Sequence, residues 1–289
     1  MRSFGSIILA ACFFLALPIA AAAAVTSPAP APMRIVSLAP SITEILFALG
    51  AGDQVVGVSQ YDDYPPAIRA LPRVGSFLTP NIEAIAALRP SLAIGLGISS
   101  NQREFHALSA MGCPTLMVED DRYALIERSI RQIGDRIGRS EEASALCRKL
   151  DERVRSITER LHDLPMVPTL MLVGHQPIVA VGPGTYLDDL LKIVRADNIA
   201  DNTLQQWPTV SIEYVVAMRP EVILDGEMGS EAGARAGFWD AYPTIPAVKN
   251  HRVYGYPQDP VLHPGPRVGD TLEILARLIH PDADSGAKR

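Results

Sequence analysis

The chain of 289 residues predicts an α/β fold of two Rossmann-like lobes with mostly parallel sheets, joined by one long helix, with a ligand cleft between the lobes. Three observations predict it. Short β-branched runs alternate with helical stretches in both halves of the chain, a pattern typical of βαβ units. A long amphipathic segment separates the halves without a flexible linker beside it. One helical motif also recurs once in each half.

The prediction divides the chain into six segments, because the composition and the periodicity change at their borders. They are a signal peptide (1–24), a flexible leader (25–33), an N-terminal α/β lobe (34–138), a connecting helix (139–163), a C-terminal α/β lobe (164–281) and a tail (282–289). A chain of this length is sufficient for two domains of ordinary size.

The first 24 residues predict export of the protein. Arg2 is the only charge before a long apolar run that ends in small residues, which is the order found in secretory signal peptides. We expect cleavage after Ala24. A retained membrane anchor is one alternative, but the run is interrupted by Pro18 and is only marginally long enough to span a bilayer. A lipoprotein site at Cys12 is another, although the apolar run before it is very short.

Seven elements are predicted in the first lobe. The strands are RIVSLA, QVVGVS, SLAIGL and PTLMVE, and the helices are SITEILFALGA, IEAIAALRP and REFHALSAMG. Ser41 is expected to cap the first helix, with Glu44 three residues later as in a capping box. Pro90 is expected to end the second helix, and Gly112 the third.

The connecting helix is predicted from Ser140 to His162. Ser140 is expected to cap it, and the two glutamates that follow suit its positive end. Its apolar stripe consists of Leu146, Leu150, Val154, Ile157 and Leu161. The second lobe is then predicted to contain the strands TLMLVG, EVILDG and RVYGYP, with helices over 186–194, 211–218 and 269–279.

Composition and motifs argue against several classes of function. A net charge of −6 without a Lys/Arg block argues against a nucleic-acid partner. Two α/β lobes with a cleft also describe many transferases, but the chain has no phosphate-binding glycine loop, G-x-S-x-G elbow or HExxH motif. Its six histidines lack the spacing of a metal site. No catalytic residue, metal ligand or cofactor is therefore predicted.

Cys113 and Cys147 are the cysteines that remain after the predicted signal peptide. We expect both to be small buried apolar residues. An oxidising compartment would permit a disulfide between them without requiring one, so their pairing is left open.

The recurring motif is FLTPNIEAIAALRP at 77–90 and WPTVSIEYVVAMRP at 207–220. Each copy begins with an aromatic residue, has a capping residue four positions later, and places a glutamate in the first helical turn, where the helix dipole favours it. Two similar lobes that reuse a good helix start would explain the repeat. A pseudo-twofold arrangement would in addition bring Phe77 and Trp207 together across the cleft and leave Glu83 and Glu213 on the outer surface.

Three segments carry a resemblance to a known family: RIVSLAPSITEILFALGAGDQVVGVSQYDDYPP, NIEAIAALRP and HPGPR. From about Arg34 to Pro281, the chain resembles the periplasmic binding proteins that deliver metal-chelate ligands to ABC importers. The YDDYPP segment makes the cobalamin-binding branch the most similar. The resemblance implies a monomeric periplasmic protein in which one rigid helix bridges the lobes, the cleft holds the ligand, and closure is small.

The resemblance also implies roles for individual residues. Those that would contact the ligand are Pro40, Tyr61, Phe77, Trp207 and Asp259. His175 falls on a cleft-facing loop by the same pattern, where it would offer a metal ligand that cobalamin does not need. Glu83 and Glu213 match the pair that docks onto arginines of the inner-membrane permease dimer, which works with its ATPase.

The sequence departs from the cobalamin-binding pattern at two positions. Phe77 stands where that branch has tryptophan, and Gly95–Ser99 stands near another tryptophan position, which predicts a looser or differently shaped pocket. Haem is one alternative ligand and would take an axial ligand from Tyr61, His175 or His263. A ferric siderophore is another, but it is usually anionic, and the cleft loops SQYDDYPP and YPQDP are acidic. The predicted function is corrinoid capture and delivery.

Overall fold

The computed structural model describes residues 32–226 and 237–283. The predicted signal peptide, with Cys12, lies outside the described residues, as do most of the predicted leader and residues 284–289 of the predicted tail. Within the described ranges, every helix is too short or too polar to cross a bilayer.

The first lobe is built on one parallel sheet with the strand order β2-β1-β3-β4. The strands are β1 (Ile35–Ser37), β2 (Val55–Gly57), β3 (Leu92–Leu96) and β4 (Thr115–Val118). The helices are α1 (Pro40–Ala48), α2 (Ile82–Ala87), α3 (Gln102–Ala110) and α4 (Tyr123–Arg136). The connecting helix α5 (Ser140–Leu161) follows.

The second lobe contains a five-stranded sheet. The strands are β5 (Val167–His175), β6 (Ile178–Ala180), β7 (Ala196–Asn198), β8 (Val222–Asp225) and β9 (Val253–Gly255). The helices are α6 (Tyr186–Ile193), α7 (Ile212–Met218), α8 (Pro246–Lys249), α9 (Gln258–Leu262) and α10 (Val268–Ile279). The beginning of β5 pairs in parallel with β7 and its end pairs antiparallel with β6, while β8 and β9 extend the sheet on the other side.

The two lobes share one topology. The parallel order β7-β5-β8-β9 in the second lobe repeats the order β2-β1-β3-β4 of the first. The recurring motif occupies the same place in both: α2 lies between β2 and β3, and α7 lies between β7 and β8. The predicted fold class, two α/β lobes with mostly parallel sheets, is therefore confirmed.

The connecting helix α5 joins the lobes by packing on a helix from each. It contacts α4 of the first lobe and α10 of the second. Arg153 and Arg160 form ion pairs with Asp270 and Glu273 of α10, at 2.7 and 2.6 Å. Its 22 residues span about 33 Å. One core cluster includes buried residues of both lobes and of α5, so the helix is part of the core and not a tether.

Some local predictions were wrong or incomplete. Helix α4 was not predicted, although Ile126, Ile130 and Ile133 form a buried stripe at helical spacing. Helix α1 begins at Pro40, whose fixed φ suits the first helical position, so Ser41 lies inside the first turn and does not cap. Helix α5 begins at Ser140 itself, which likewise makes no cap hydrogen bond.

The two described cysteines are buried, as predicted. Cys113 and Cys147 are both free thiols. Burial raises the pKa of each thiol, and that of Cys147 to about 11. Both therefore act as apolar core residues.

Candidate functional site

A cavity of about 290 Å³ lies between the two lobes. The first lobe contributes Ala39, Pro40, Ser41, Phe77, Leu96, Asp120 and Asp121 to its lining. The second contributes Val173, Thr185, Tyr186, Leu187, Gln206, Trp207, Leu262, His263 and Pro264. Among the described residues of this lining there is no Lys or Arg. An apolar concave site with a few polar groups is the usual form of a small-molecule pocket.

The strand ends of the first sheet explain why residues far apart in sequence meet here. Ala39 and Pro40 follow β1, Leu96 is the last residue of β3, and Asp120 follows β4. In parallel α/β sheets, ligands bind outside the carboxyl ends of the strands. The cavity therefore occupies the position that this topology favours for a ligand.

Phe77 enters the cavity from the loop before α2. Its backbone carbonyl accepts a hydrogen bond of 2.9 Å from Nδ2 of the buried Asn101, which also donates to the carbonyl of Leu96 at 3.0 Å. Asn101 thus fixes the loop to the end of β3. Tyr61 packs on Phe77 with ring centroids 5.8 Å apart, and its side chain is about half exposed. Tyr61 itself is not in the cavity lining but extends its aromatic surface.

Trp207 enters from the equivalent loop before α7, and its side chain is 47% exposed. Gly182 lets this loop approach the sheet: its amide donates to the carbonyl of Gln206 at 2.8 Å. A Cβ at Gly182 would lie 2.1 Å from the carbonyl oxygen of Gln205, which no side chain could tolerate. The two aromatic residues of the recurring motif therefore line one cavity from opposite lobes, as the pseudo-twofold arrangement requires.

Asp120 and Asp121 give the cavity an acidic side. The Ser41 hydroxyl of α1 donates a 2.7 Å hydrogen bond to Oδ2 of Asp120. Burial raises the pKa of Asp120 to about 6; the Ser41 hydrogen bond opposes this shift, and the neighbouring Asp121 charge adds to it. This carboxylate therefore titrates near neutral pH.

An ion cluster links the lobes beside the cavity. Arg267, before α10, donates from Nε and Nη2 to both oxygens of Glu44 of α1, at 2.7 and 2.5 Å. Its Nη1 donates to Asp259 at 2.6 Å, and its guanidinium lies 4.2 Å from the Tyr64 ring centroid. The Glu44 side chain is only 2% exposed, and burial raises its pKa even though Arg267 opposes the shift.

Asp259 is engaged by this cluster and is not in the cavity lining. It lies in the short helix α9, where the facing His263 imidazole and then the Arg267 guanidinium lower its pKa. His263 Nδ1 is 3.3 Å from Asp259 and 3.8 Å from Glu44. Glu44, Asp259 and His263 have ligand atoms within 4.8 Å of one another, a spacing that could suit a metal ion. Arg267, however, already forms ion pairs with both carboxylates.

The expectation that His175 lies on a cleft-facing loop is wrong. His175 is the last residue of β5, and its side chain is 2% exposed. Its Nε2 lies 2.5 Å from Oδ1 of the buried Asp225, whose other oxygen accepts a 2.9 Å hydrogen bond from Trp239 Nε1. The strand continues further than predicted because it forms a hairpin with β6, and this buries the imidazole.

Glu83 and Glu213 lie in the first turns of α2 and α7, and both are exposed. The capping prediction for these helices is confirmed. Asn81 accepts a 2.9 Å hydrogen bond from the amide of Ala84, and Ser211 accepts one of 3.2 Å from the amide of Tyr214. The two glutamates thus occupy equivalent surface positions, while their role in docking stays a prediction.

Several residues of this site were not predicted as functional residues, among them Ser41, Asp120 and Arg267. Ser41 was assigned to a helix cap, Asp120 was not considered, and Arg267 was read only as part of the HPGPR segment. A signal existed for Asp120, because it closely follows a predicted strand, at the end where ligands bind in parallel sheets. No local signal marks the Glu44–Arg267 pair, whose members are 223 positions apart.

Comparisons with known proteins agree with this architecture. The family model for periplasmic binding protein matches residues 35–260. An uncharacterised ABC transporter substrate-binding lipoprotein of Bacillus subtilis is 32% identical, over 87% of this chain and 81% of its own length.

Two solved structures have the same fold at 27% identity. The periplasmic vitamin B12-binding protein of Vibrio cholerae has a TM-score of 0.76 and covers 89% of this chain and 99% of its own. The periplasmic haem-binding protein of a Roseiflexus species, in its apo form, has a TM-score of 0.78 and covers 87% and 99%. The chain therefore belongs to the periplasmic binding protein family, as a substrate-binding protein of the ABC importer class.

Proposed function

We propose that this protein binds cobalamin or a related corrinoid in the cavity between its lobes and delivers it to an inner-membrane ABC permease dimer with its ATPase. It acts in the periplasm as a monomer, after export by the signal peptide at residues 1–24. The corrinoid is the transported ligand and not a cofactor.

The chemistry of the cavity lining is the observation that carries this proposal. Phe77, Trp207 and Pro40 offer apolar and aromatic surface, and the charged groups beside them include two carboxylates without a lysine or arginine among the described lining residues. A corrin ring edged by neutral amides is satisfied by aromatic contact and hydrogen-bond acceptors. The relative from Vibrio cholerae, named for vitamin B12, supports the same ligand class.

The same lining disfavours the anionic alternatives. Haem carries propionates and ferric siderophores are usually anionic, so both would favour a basic cleft. Of the three axial ligands considered for haem, His175 is buried on Asp225, and His263 lines the cavity with its Nδ1 turned to Asp259 of the ion cluster. Tyr61 alone presents a half-exposed side chain beside the cavity. Haem therefore remains the competing outcome that the ligand test must address.

A corrinoid would extend beyond the cavity. The cavity volume of about 290 Å³ lies just below the usual range for small-molecule pockets, roughly 300–1,000 Å³. The ligand would therefore leave part of its surface in contact with the half-exposed rings of Trp207 and Tyr61.

Spectroscopic titration with cyanocobalamin, and separately with hemin, tests the ligand. We expect cyanocobalamin to bind, with Phe77→Ala and Trp207→Ala each weakening the affinity about 10- to 100-fold, the range for truncated aromatic anchors. Met111→Ala is the matched control, because Met111 is an exposed apolar residue outside the cavity lining. A Soret shift with hemin, together with no binding of the corrinoid, would show that the ligand is haem and not cobalamin.

Removing the charges of two exposed glutamates tests docking to the permease. We propose that Glu83 and Glu213 each contact an arginine of one permease subunit, which sets register and encounter rate more than affinity, because exposed ion pairs are individually weak. The double variant Glu83→Ala/Glu213→Ala should abolish stimulation of the permease ATPase and leave ligand affinity unchanged. Glu152→Ala/Glu159→Ala, which removes two exposed glutamates of α5, is the control. Loss of ligand affinity in the first variant would contradict the surface role.

A further inference from the structure

Asp120 is a partly buried carboxylate with few described partners. Asp188 accepts hydrogen bonds from Asn198, Lys192 and the amide of Gly184, at 2.9, 2.7 and 3.1 Å. For Asp120, by contrast, Ser41 is the one described side chain that donates to it. An ionised carboxylate offers about four acceptor positions, and burying it without donors is unfavourable.

The unfilled acceptor capacity of Asp120 faces the ligand cavity. Asp120 and Ser41 both line it, two residues after the end of β4 and in the first turn of α1. The Ser41 hydroxyl engages Oδ2 and so orients the carboxylate. The remaining positions are available to a donor that enters the cavity, and among the described lining residues no lysine or arginine competes for them.

We propose that the Ser41–Asp120 pair is a specificity site, which accepts hydrogen bonds from a primary amide at the ligand edge and rejects a carboxylate at that position. The inference rests on the proposed function, because it assigns the amide to a corrinoid side chain. It separates neutral corrinoids from acidic ones and from propionate-bearing porphyrins. A purely structural role, in which Asp120 only ties β4 to α1, would give no such selectivity.

The surrounding charges determine how this selectivity depends on pH. The titratable groups that face Asp120 are Asp121, His263 and Tyr186, with the Glu44–Arg267 pair beyond His263. With a pKa of about 6, Asp120 is ionised at pH 7.5 and mostly protonated at pH 5. Rejection of a carboxylate ligand is therefore present above about pH 6 and is lost as the pH falls through it.

The test compares cyanocobalamin with its monocarboxylic acid derivative, in which one peripheral amide is hydrolysed. Wild-type protein should prefer the amide form by about 10- to 100-fold at pH 7.5, the range expected when a hydrogen bond to a charged group is replaced by repulsion. Asp120→Asn should reduce that preference at least about tenfold. Glu119→Gln is the matched control, since it removes a neighbouring exposed carboxylate that lies outside the cavity lining, and it should preserve the preference.

Ser41→Ala supplies a measurement that would not change if Asp120 had only a structural role. The Ser41 hydrogen bond lowers the pKa of Asp120, so its removal should move the midpoint of the pH dependence upwards. His263→Gln should retain a pH dependence. If the pH dependence disappears in His263→Gln, the histidine and not Asp120 is the titrating group, and the inference is wrong.

The two proposals fail in different ways. If wild-type protein binds cyanocobalamin but Asp120→Asn, with an unchanged Tm, discriminates as wild type does, the specificity site is refuted and the ligand class stands. If wild-type protein binds neither corrinoid, the ligand class is wrong and the specificity site falls with it.

Discussion

Replacing Arg267 with glutamine removes a cation that bridges the two lobes beside the cavity. Arg267 neutralises Glu44, whose side chain is 2% exposed, and it also contacts Asp259, whose side chain is 40% exposed. Removing one partner of a buried ion pair leaves an uncompensated charge and costs about 3–5 kcal/mol. Loss of the half-exposed Asp259 contact adds at most about 1 kcal/mol, because solvent screens it. We therefore expect Arg267→Gln to destabilise the protein by about 3–5 kcal/mol, a decrease in Tm of roughly 6–20 °C.

The stability lost in Arg267→Gln should increase with pH. Burial holds the pKa of Glu44 above its usual 4.5 in the folded protein, and loss of the Arg267 hydrogen bonds would raise it further. The folded variant then binds a proton more tightly than the unfolded chain does, so its stability decreases as the pH rises above 4.5. The penalty should be smaller at pH 5 than at pH 8.

Thermal and urea unfolding at both pH values measure these differences. Asp259→Asn is the control, with an expected loss of about 1 kcal/mol or less. The double variant Glu44→Gln/Arg267→Gln should recover much of the stability lost in Arg267→Gln, because no charge is left buried. A loss in Arg267→Gln no larger than in Asp259→Asn, or no recovery in the double variant, would refute the reasoning.

Three further predictions concern the loops and the core. Gly182→Ala should weaken cyanocobalamin binding in fluorescence titration, because its Cβ would displace Gln205 and the cavity loop that follows; unchanged affinity would contradict this close approach. Asn101→Ala should lower the free energy of unfolding by about 1–3 kcal/mol, by leaving the carbonyl of Phe77 without its donor; a change below 0.5 kcal/mol in urea unfolding would argue against it. Cys147, whose pKa burial raises to about 11, should react with DTNB only after unfolding, and labelling of the native protein within seconds would show that the thiol is accessible.

The two aromatic residues of the cavity, and the caps of the helices that follow them, could be predicted from the recurring motif. Asn81 and Ser211 cap their helices as expected, and Phe77 and Trp207 enter one cavity from equivalent loops. These features depend on residues that are close in sequence, so a short segment contains the information that specifies them. Their expected contact with a ligand came from the family resemblance and stays a proposal.

The environment of His175 could not be predicted from nearby residues. The glycine before it and the proline after it suggested a loop, but the segment continues as strand because β6 pairs with it. The pairing buries the imidazole against Asp225, which lies 50 positions away in the chain. Exposure of a polar residue depends on what packs over it, and sequence spacing carries little information about that.

The sequence by itself determined the two α/β lobes, the long connecting helix and the repeated loop-helix units, because hydrophobic periodicity, capping and helix-breaking residues act over a few positions. The tertiary structure decided which charges meet. Ser41 meets Asp120 across 79 positions, and Glu44 meets Arg267 across 223. These pairings arise only when β1, β4 and the second lobe are packed together, since the desolvation that gives them their energy exists only in the folded core.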